Sequence, residues 1–427
     1  MNNMSNLPAN PRYSVALFNS SDVRGKKVGG IQTYMRDYIE YHPEDMDLLV
    51  VGGDESGELP LGEISEVKFR DRKFKFLPLF HLTEVTPTYK GIGNSDTFKF
   101  AKLIIQNFGK IKKILKEGNY TVEIRRVEYA PIFKAMGVPV ITMMHIWGRK
   151  DQKMSSVLGK YWWIRDMNEY LAAATSVKMY GVSTPMTEMF KTKYKRFINK
   201  FDVLTTWANP KIFKPTPYQF DEDDTIHLMY AGRLDKFKRP DFMFSVIAAL
   251  DRQTGGKVRF HYVGDWDMTV WPEFSAVEHL VIREGVLTSE QIGKLLEEMH
   301  IGLLTSDFEG MPCIVMETLS SGRPEVARHL PQLEDVIYDG VTGYLIKDGP
   351  DQIEEQARRI VEIYSKMKDG SITPETVSKA VEPFGLVQLL SKIWNDHRVL
   401  HDLPRIPLAG VLDPVVERHA AKPASAA

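Results

Sequence analysis

The feature that most constrains this chain is a pattern that runs twice along it. Short apolar runs, several ending in glycine, alternate with segments of helical spacing. The first pass holds Tyr13 to Asn19, Leu48 to Gly53, Val138 to Met144 and Val177 to Val182 as buried strands. Helical stretches lie at Ile31 to Tyr41, Phe98 to Glu117 and Thr184 to Tyr194. The second pass holds strands at Ile226 to Gly232, Val258 to Gly264, Leu280 to Arg283 and Ile301 to Thr305, with helices at Pro240 to Asp251 and Ser289 to Met299. Strands alternating with helices predict a parallel sheet covered on both faces. Two passes predict an α/β chain of two Rossmann-like domains facing a cleft, where ligands bind at the carboxyl ends of the strands. A turn-rich stretch from Thr206 to Thr225, with three prolines and the run Asp221-Glu-Asp-Asp224, marks the junction. The expected domains are residues 1–206, residues 207–385, and a returning helix plus disordered tail over 386–427.

The chain has 427 residues, too many for one ordinary core. Net charge is −1, but the halves differ. Residues 1–210 hold 31 Lys and Arg against 22 Asp and Glu, a net +9; the remainder holds 24 against 34, a net −10. One half meeting an anionic partner, or two solvated surfaces of opposite bias, explain this equally well. The single cysteine, Cys313, excludes an internal disulfide and suits a reducing compartment. Met1 to Pro11 is polar, unlike a secretory leader. No run approaches the roughly 18 apolar residues of a membrane span. The expectation is a cytoplasmic protein. Basic runs at Lys68 to Lys75, Lys110 to Lys116 and Lys191 to Arg196 suit peripheral contact with an anionic membrane; solvated helix and strand faces are the blander explanation.

The segment richest in chemistry is Asp307-Phe-Glu309-Gly310-Met311-Pro312-Cys313-Ile314-Val315-Met316-Glu317, directly after an apolar strand. Pro312 suits the first position of a helix. The amides of Cys313 and Ile314 would then sit at a helix N-terminus, which favours phosphate. One glutamate could accept hydrogen bonds from a sugar, the other from a ribose. Upstream, Arg233 and Lys238 follow a strand end and place two cations where a leaving diphosphate would need them.

These residues resemble the retaining family 4 glycosyltransferases of GT-B fold, whose two glutamates stand at the spacing of Glu309 and Glu317. Tyr230-Ala-Gly-Arg233-Leu-Asp-Lys-Phe-Lys238 and Asp339-Gly-Val-Thr-Gly343 are similar to further segments of that family, as are Tyr180-Gly-Val-Ser183 and Asn209 to Pro215. The resemblance covers about residues 13 to 346. It implies that Glu309 approaches the transferred sugar and Glu317 binds ribose hydroxyls. Gly310, Met311, Cys313 and Ile314 offer backbone contacts, and Glu284 and Val286 flank backbone that holds the base. Gly29 and Gly30 face the donor, and His145 lies near the reacting sugar. The implied activity is a retaining hexosyltransferase using a UDP- or GDP-sugar, with no metal and no further cofactor. It acts on a glycan or lipid-linked acceptor in cell-surface polysaccharide or glycolipid synthesis, and no nucleic acid is involved.

Departures stand at Glu325, a charge where a strand interior is usual, and at Arg328 to Gln332, which lacks the family's glycines. Both are expected close to the donor sugar. Residues 55–120 match no known segment. A nucleotide-sugar epimerase or glycan phosphorylase on the same fold is one alternative, and a non-catalytic binder of anionic surfaces is another. Asp265-Trp-Asp267 has the spacing of a metal-binding pair but reads as a loop. There is no zinc-type cluster and no nucleotide P-loop.

Overall fold

The computed structural model describes residues 12–25, 29–82, 96–145 and 162–407. The expectations for Met1 to Pro11 and for the tail from Ala420 lie outside these residues. The chain divides into two compact units, one ending at Leu204 and resumed from Val387, the other Thr205–Leu386.

The first unit is built on eight strands: β1 (Tyr13–Phe18), β2 (Met46–Asp54), β3 (Ser65–Phe69), β4 (Arg72–His81), β5 (Tyr120–Ile124), β6 (Val140–Met144), β7 (Lys178–Gly181) and β8 (Phe201–Val203). Their order is β3-β4-β2-β1-β5-β6-β7-β8. Neighbours are parallel apart from the β3/β4 hairpin. Val15, Ala16 and Leu17 of β1 are wholly buried, as central strands covered on both faces should be.

Three elements differ from the sequence reading. The helix expected over 98–117 is two helices, Asp96–Gln106 and Phe108–Glu117. They part at Asn107, whose side-chain amide donates to the Leu103 carbonyl at 2.9 Å and so competes with the backbone ladder. The basic run 68–75 is the edge hairpin. Phe74 and Phe76 point inward, while Lys73 pairs with Glu66 at 2.9 Å and Lys75 with Asp47 at 2.7 Å. β5 carries a fully buried glutamate, Glu123. Arg125 lies 2.6 Å from it, and Tyr34 donates to it at 3.2 Å. His397 Nε2, from the closing helix Leu386–Leu400, approaches Glu123 at 3.4 Å. That helix also seats Trp394 in this unit, edge-on to Tyr38.

The second unit has six parallel strands: β9 (Ile226–Ala231), β10 (Val258–Val263), β11 (Val281–Gly285), β12 (Ile301–Leu304), β13 (Glu325–Arg328) and β14 (Gly343–Ile346). Their order is β11-β10-β9-β12-β13-β14. The chain winds outward from β9 to β11, then returns to the centre and winds the other way from β12. The point of reversal falls between β9 and β12. In the first unit it falls between β1 and β5. Open parallel sheets bind ligands beyond the carboxyl ends of the strands at such points.

Two buried charges at the opposite end of this sheet are handled differently. Arg323 has no exposed surface and donates to the carbonyls of Met299, Thr216, Ser321, Pro217 and Glu297. It thereby staples the segment before β9 to the sheet. Burial holds its pKa down, to about 10. Glu325, the first residue of β13, is 2% exposed, and its Oε2 has no hydrogen-bond partner among the described residues. It lies over Gly302, where an added Cβ would meet that oxygen at 1.9 Å. Burial raises its pKa to about 8. This corrects the expectation that Glu325 borders the sugar site. It opens β13, whereas Arg328 closes that strand.

The sign of the Glu325 effect follows from linkage. Its folded pKa lies above the unfolded value, so the stability it confers is present below about pH 4.5 and is lost as pH rises through 8. The slope is on the order of 1 kcal/mol per pH unit. Glu325→Gln is therefore expected to gain stability relative to the parent between pH 5 and pH 8, measured by urea unfolding at both. A parallel pH dependence in the two proteins refutes the assignment.

Candidate functional site

The site of the second unit forms because β9 and β12 pair over only two positions, Leu228 with Ile301 and Met229 with Gly302. Each strand runs two residues further, β9 to Ala231 and β12 to Leu304, before loops take over, and cross-bonds join the loops. The Asp307 amide donates to the Phe237 carbonyl at 2.8 Å, and Thr305 Oγ1 donates to the Lys238 carbonyl at 2.8 Å. These bonds set Lys238 opposite Glu309, and the two side chains form an ion pair. Ser306 Oγ donates to the same Glu309 oxygen at 2.7 Å, and Gln332 donates to the Glu309 carbonyl at 2.9 Å. Glu309 is thus held on three sides while 9% exposed.

A second web of charge borders this pair. Asp307 accepts from Arg239 at 3.3 Å and contacts Arg328, which also reaches Asp348 at 2.8 Å. The loop 328–332, short of glycine, is therefore fastened by side chains. Arg233, expected beside Lys238, is mostly exposed and pairs with Asp235 at 2.9 Å. Its carbonyl is fixed by the Tyr230 hydroxyl at 2.9 Å.

The helix after Glu309 spans Cys313–Ser320. Pro312 is its extended N-cap rather than its first residue, one position earlier than expected. Gly310, Met311, Cys313 and Ile314 therefore occupy the loop and first turn. Glu317 stands on the second turn, 7% exposed. Val315 and Leu319 bury the inner face of this helix.

Glu284 and Val286 sit at the end of β11. Val286 is exposed. The Glu284 carboxylate lies 2.7 Å from His261 Nδ1, and a chain continues through His227, 3.0 Å away, to Asp221 at 2.9 Å. Burial pulls the His261 pKa down, against the pull of Glu284. Asp265-Trp-Asp267 is a loop in which Asp267 accepts from the Thr269 amide and hydroxyl, the geometry of an Asx turn. Among the described residues no group of three or more His, Cys, Asp or Glu could hold a metal ion.

Gly29, Gly30 and His145 belong to the first unit. Gly29 caps the helix Gly30–Tyr41. His145 follows β6, beside the β1/β5 reversal; its ring stands edge-on to Tyr34, and its Nε2 has no hydrogen-bond partner among the described residues. Burial, with Arg125 and Arg126 adding repulsion, lowers its pKa to about 3. Sequence reasoning missed Ser306, and it gave no role to Asp307, Arg328 and Gln332, although it singled out their segments. Their signal was position: polar residues at the ends of β12 and β13, flanking the glutamate loop.

The arrangement is that of a GT-B fold, two Rossmann-like units each with a reversal point in its sheet. Residues 225–366 match the family model described as glycosyl transferases group 1. Among curated proteins, an uncharacterized 41.2 kDa protein in the cps region of Klebsiella pneumoniae is 28% identical over 143 residues, 33% of this chain and 37% of its own. The Vi polysaccharide biosynthesis protein VipC/TviE of Salmonella typhi is 29% identical over 33% of this chain and 24% of its own. The poly(ribitol-phosphate) alpha-N-acetylglucosaminyltransferase of Staphylococcus aureus (strain COL) is 27% identical over 46% of this chain and 40% of its own. The chain thus matches less than half the length of each of these relatives. Among solved structures, sucrose-phosphate synthase from Thermosynechococcus elongatus has a TM-score of 0.70 at 15% identity, covering 92% of this chain and 100% of that one. Anabaena HepE, solved with UDP and glucose, has a TM-score of 0.61 at 14% identity, covering 92% and 100%. Together these findings support a GT-B fold whose second unit carries a segment similar to the glycosyl transferases group 1 model.

His145 yields a test. Its folded pKa lies below the unfolded value, so the stability tied to the neutral ring is present above about pH 6.5 and lost as pH falls towards 3. In a histidine NMR titration its ring signals should stay fixed from pH 8 to 4.5. Titration near pH 6.5 rules out the buried neutral ring.

Proposed function

We propose that the protein transfers a hexose-type sugar from a nucleotide diphosphate sugar, UDP or GDP, to a glycan or lipid-linked acceptor. The setting proposed is the synthesis of a cell-surface polysaccharide or glycolipid. The observation that carries this reading is the Lys238–Glu309 pair at the β9/β12 reversal, inside the segment that matches the glycosyl transferases model. The second unit is read as the donor domain and the first as the acceptor domain.

Bond cleavage at the sugar leaves negative charge on the diphosphate, and Lys238 with Arg233 would neutralise it. Glu309, presented by Lys238, Ser306 and Gln332, would accept hydrogen bonds from sugar hydroxyls. Glu317 would accept them from the ribose. Backbone at Gly310, Met311, Cys313 and Ile314 lies around a helix start, where anions are favoured. Glu284 and Val286 flank the backbone assigned to the base. Gly29, Gly30 and His145 are assigned to the donor and reacting sugar from the first unit. Transfer is proposed to retain anomeric configuration by attack on the face the diphosphate leaves.

Two experiments test this. Lys238→Ala and Glu309→Ala should each lower transfer by about 10²–10³-fold, with unchanged circular dichroism. Full activity in both sinks the assignment, and NMR of an inverted product refutes retention. In a thermal-shift panel of UDP-, GDP-, ADP- and dTDP-sugars, one base class should stabilise the protein. A ligand at a hundred times its Kd contributes about 2.7 kcal/mol. Glu317→Ala should abolish that shift, and an equal shift in the variant removes Glu317 from the site.

A further inference from the structure

The helix Trp162–Thr175 of the first unit packs inward through Ala172 and Ala173, yet its outer face is also apolar. Trp163, Met167, Tyr170 and Leu171 follow the i, i+4, i+7, i+8 spacing of a single stripe and are 53%, 50%, 45% and 37% exposed. A helix apolar on both sides is normally buried on both. An exposed stripe of this kind marks a contact surface.

The neighbouring segment Lys195–Lys200 is fastened to the end of this helix. Lys200 Nζ donates to the carbonyls of Ala173 at 2.9 Å and Ser176 at 2.7 Å, and the Phe197 ring lies 5.6 Å from Tyr170. It brings exposed Ile198, together with Lys195 and Arg196, which make no ion pair among the described residues. The nearby acids are already engaged. Asp166 pairs with Lys193 at 2.8 Å, and Glu169 pairs with Lys193 at 2.8 Å and Arg165 at 3.6 Å. Between helix and segment lies a depression of about 440 Å³ lined by Tyr170, Tyr194 and Phe197, by Lys195 and Arg196, and by the paired Asp166 and Lys193.

We infer that this face, Trp163, Met167, Tyr170, Leu171 and Ile198 with Lys195 and Arg196, docks on a bilayer surface rich in anionic lipid. Trp and Tyr sit well at the headgroup level. An apolar stripe beside unpaired cations has the two attractions that hold a surface-lying helix there. The charge complementarity comes from Lys195 and Arg196, and the depression between them and Tyr170 accommodates a headgroup phosphate. Of the three basic runs, the third is the one attached to this stripe; the first spends Lys73 and Lys75 on cross-strand carboxylates.

The full chain should cosediment with phosphatidylglycerol–phosphatidylcholine vesicles and not with phosphatidylcholine alone, and added salt should weaken the binding. Lys195→Glu with Arg196→Glu should lower the partition constant at least tenfold. Met167→Gln with Leu171→Gln should lower it several-fold. All four positions are exposed, so unfolding midpoints should stay within a few degrees of the parent. Absence of vesicle binding overturns the inference, as does equal binding by parent and both variants. So does a self-association, seen by size-exclusion chromatography, that either variant dissolves, which makes the stripe a contact between copies. No nucleotide sugar or acceptor enters the assay, so its failure leaves the transfer reading to be judged separately.

Discussion

The candidate site depends on how little β9 and β12 touch. Two paired positions hold them together near their starts. Past that, the chain has reversed its winding, and no helix connection fills the gap between their ends. Loops must do so, and they bond to one another through the Phe237 and Lys238 carbonyls. The Lys238–Glu309 pair is a product of that bridging. It places opposite charges where the topology already opens a crevice. The same logic puts Tyr34, Arg125 and His145 around the reversal point of the first sheet.

Buried charge is the second theme, and both units treat it by the same rule. Removing a charged group from water is tolerated only where partners replace the water. Glu123 receives Arg125, Tyr34 and a histidine from the closing helix, which fastens that helix to the sheet. Arg323 receives carbonyls from three separate stretches of chain. Glu325 receives no partner for its inner oxygen among the described residues, and burial holds its proton well into the neutral range. Arg323 and Glu325 stand two residues apart with opposite outcomes. The difference lies in where each side chain points: towards a ring of chain ends rich in carbonyls, or under a helix against Gly302.

Much of the fold was legible because central parallel strands are apolar throughout. β1, β2, β6, β9, β10 and β12 read directly as such runs. β5 did not, because Glu123 breaks its pattern, and beyond the nearby Arg125 its partners Tyr34 and His397 are distant in sequence. The β3/β4 hairpin was hidden for another reason. An edge pair alternates lysine with phenylalanine, and the charges caught the eye before the period of two did. The candidate site was legible where short segments carry it, as with the loop of Glu309 and with Lys238, whereas Arg233, expected beside Lys238, pairs with Asp235. It was not legible where support comes from outside that segment. Nothing in Gln332 or Arg328 announces a bond to residues some twenty positions away.

Those supporting residues also explain the departure from the resembling pattern. A glycine-rich loop after β13 can approach a ligand closely because it lacks side chains. This chain instead has Arg328 and Gln332 there, and each is occupied. Arg328 spans Asp307 and Asp348, while Gln332 holds the Glu309 carbonyl. The loop is therefore tied to the glutamate it neighbours. Glu309 does not rely on Lys238 alone for its position, so a diphosphate arriving to compete for Lys238 would find the carboxylate still held by Ser306 and its backbone still held by Gln332. A lysine shared between an anchored carboxylate and an incoming anion can move towards the anion without the carboxylate following. Under the transfer reading proposed above, that is the arrangement a departing diphosphate needs, supplied by Ser306 together with Gln332 from the loop that departs from the family pattern.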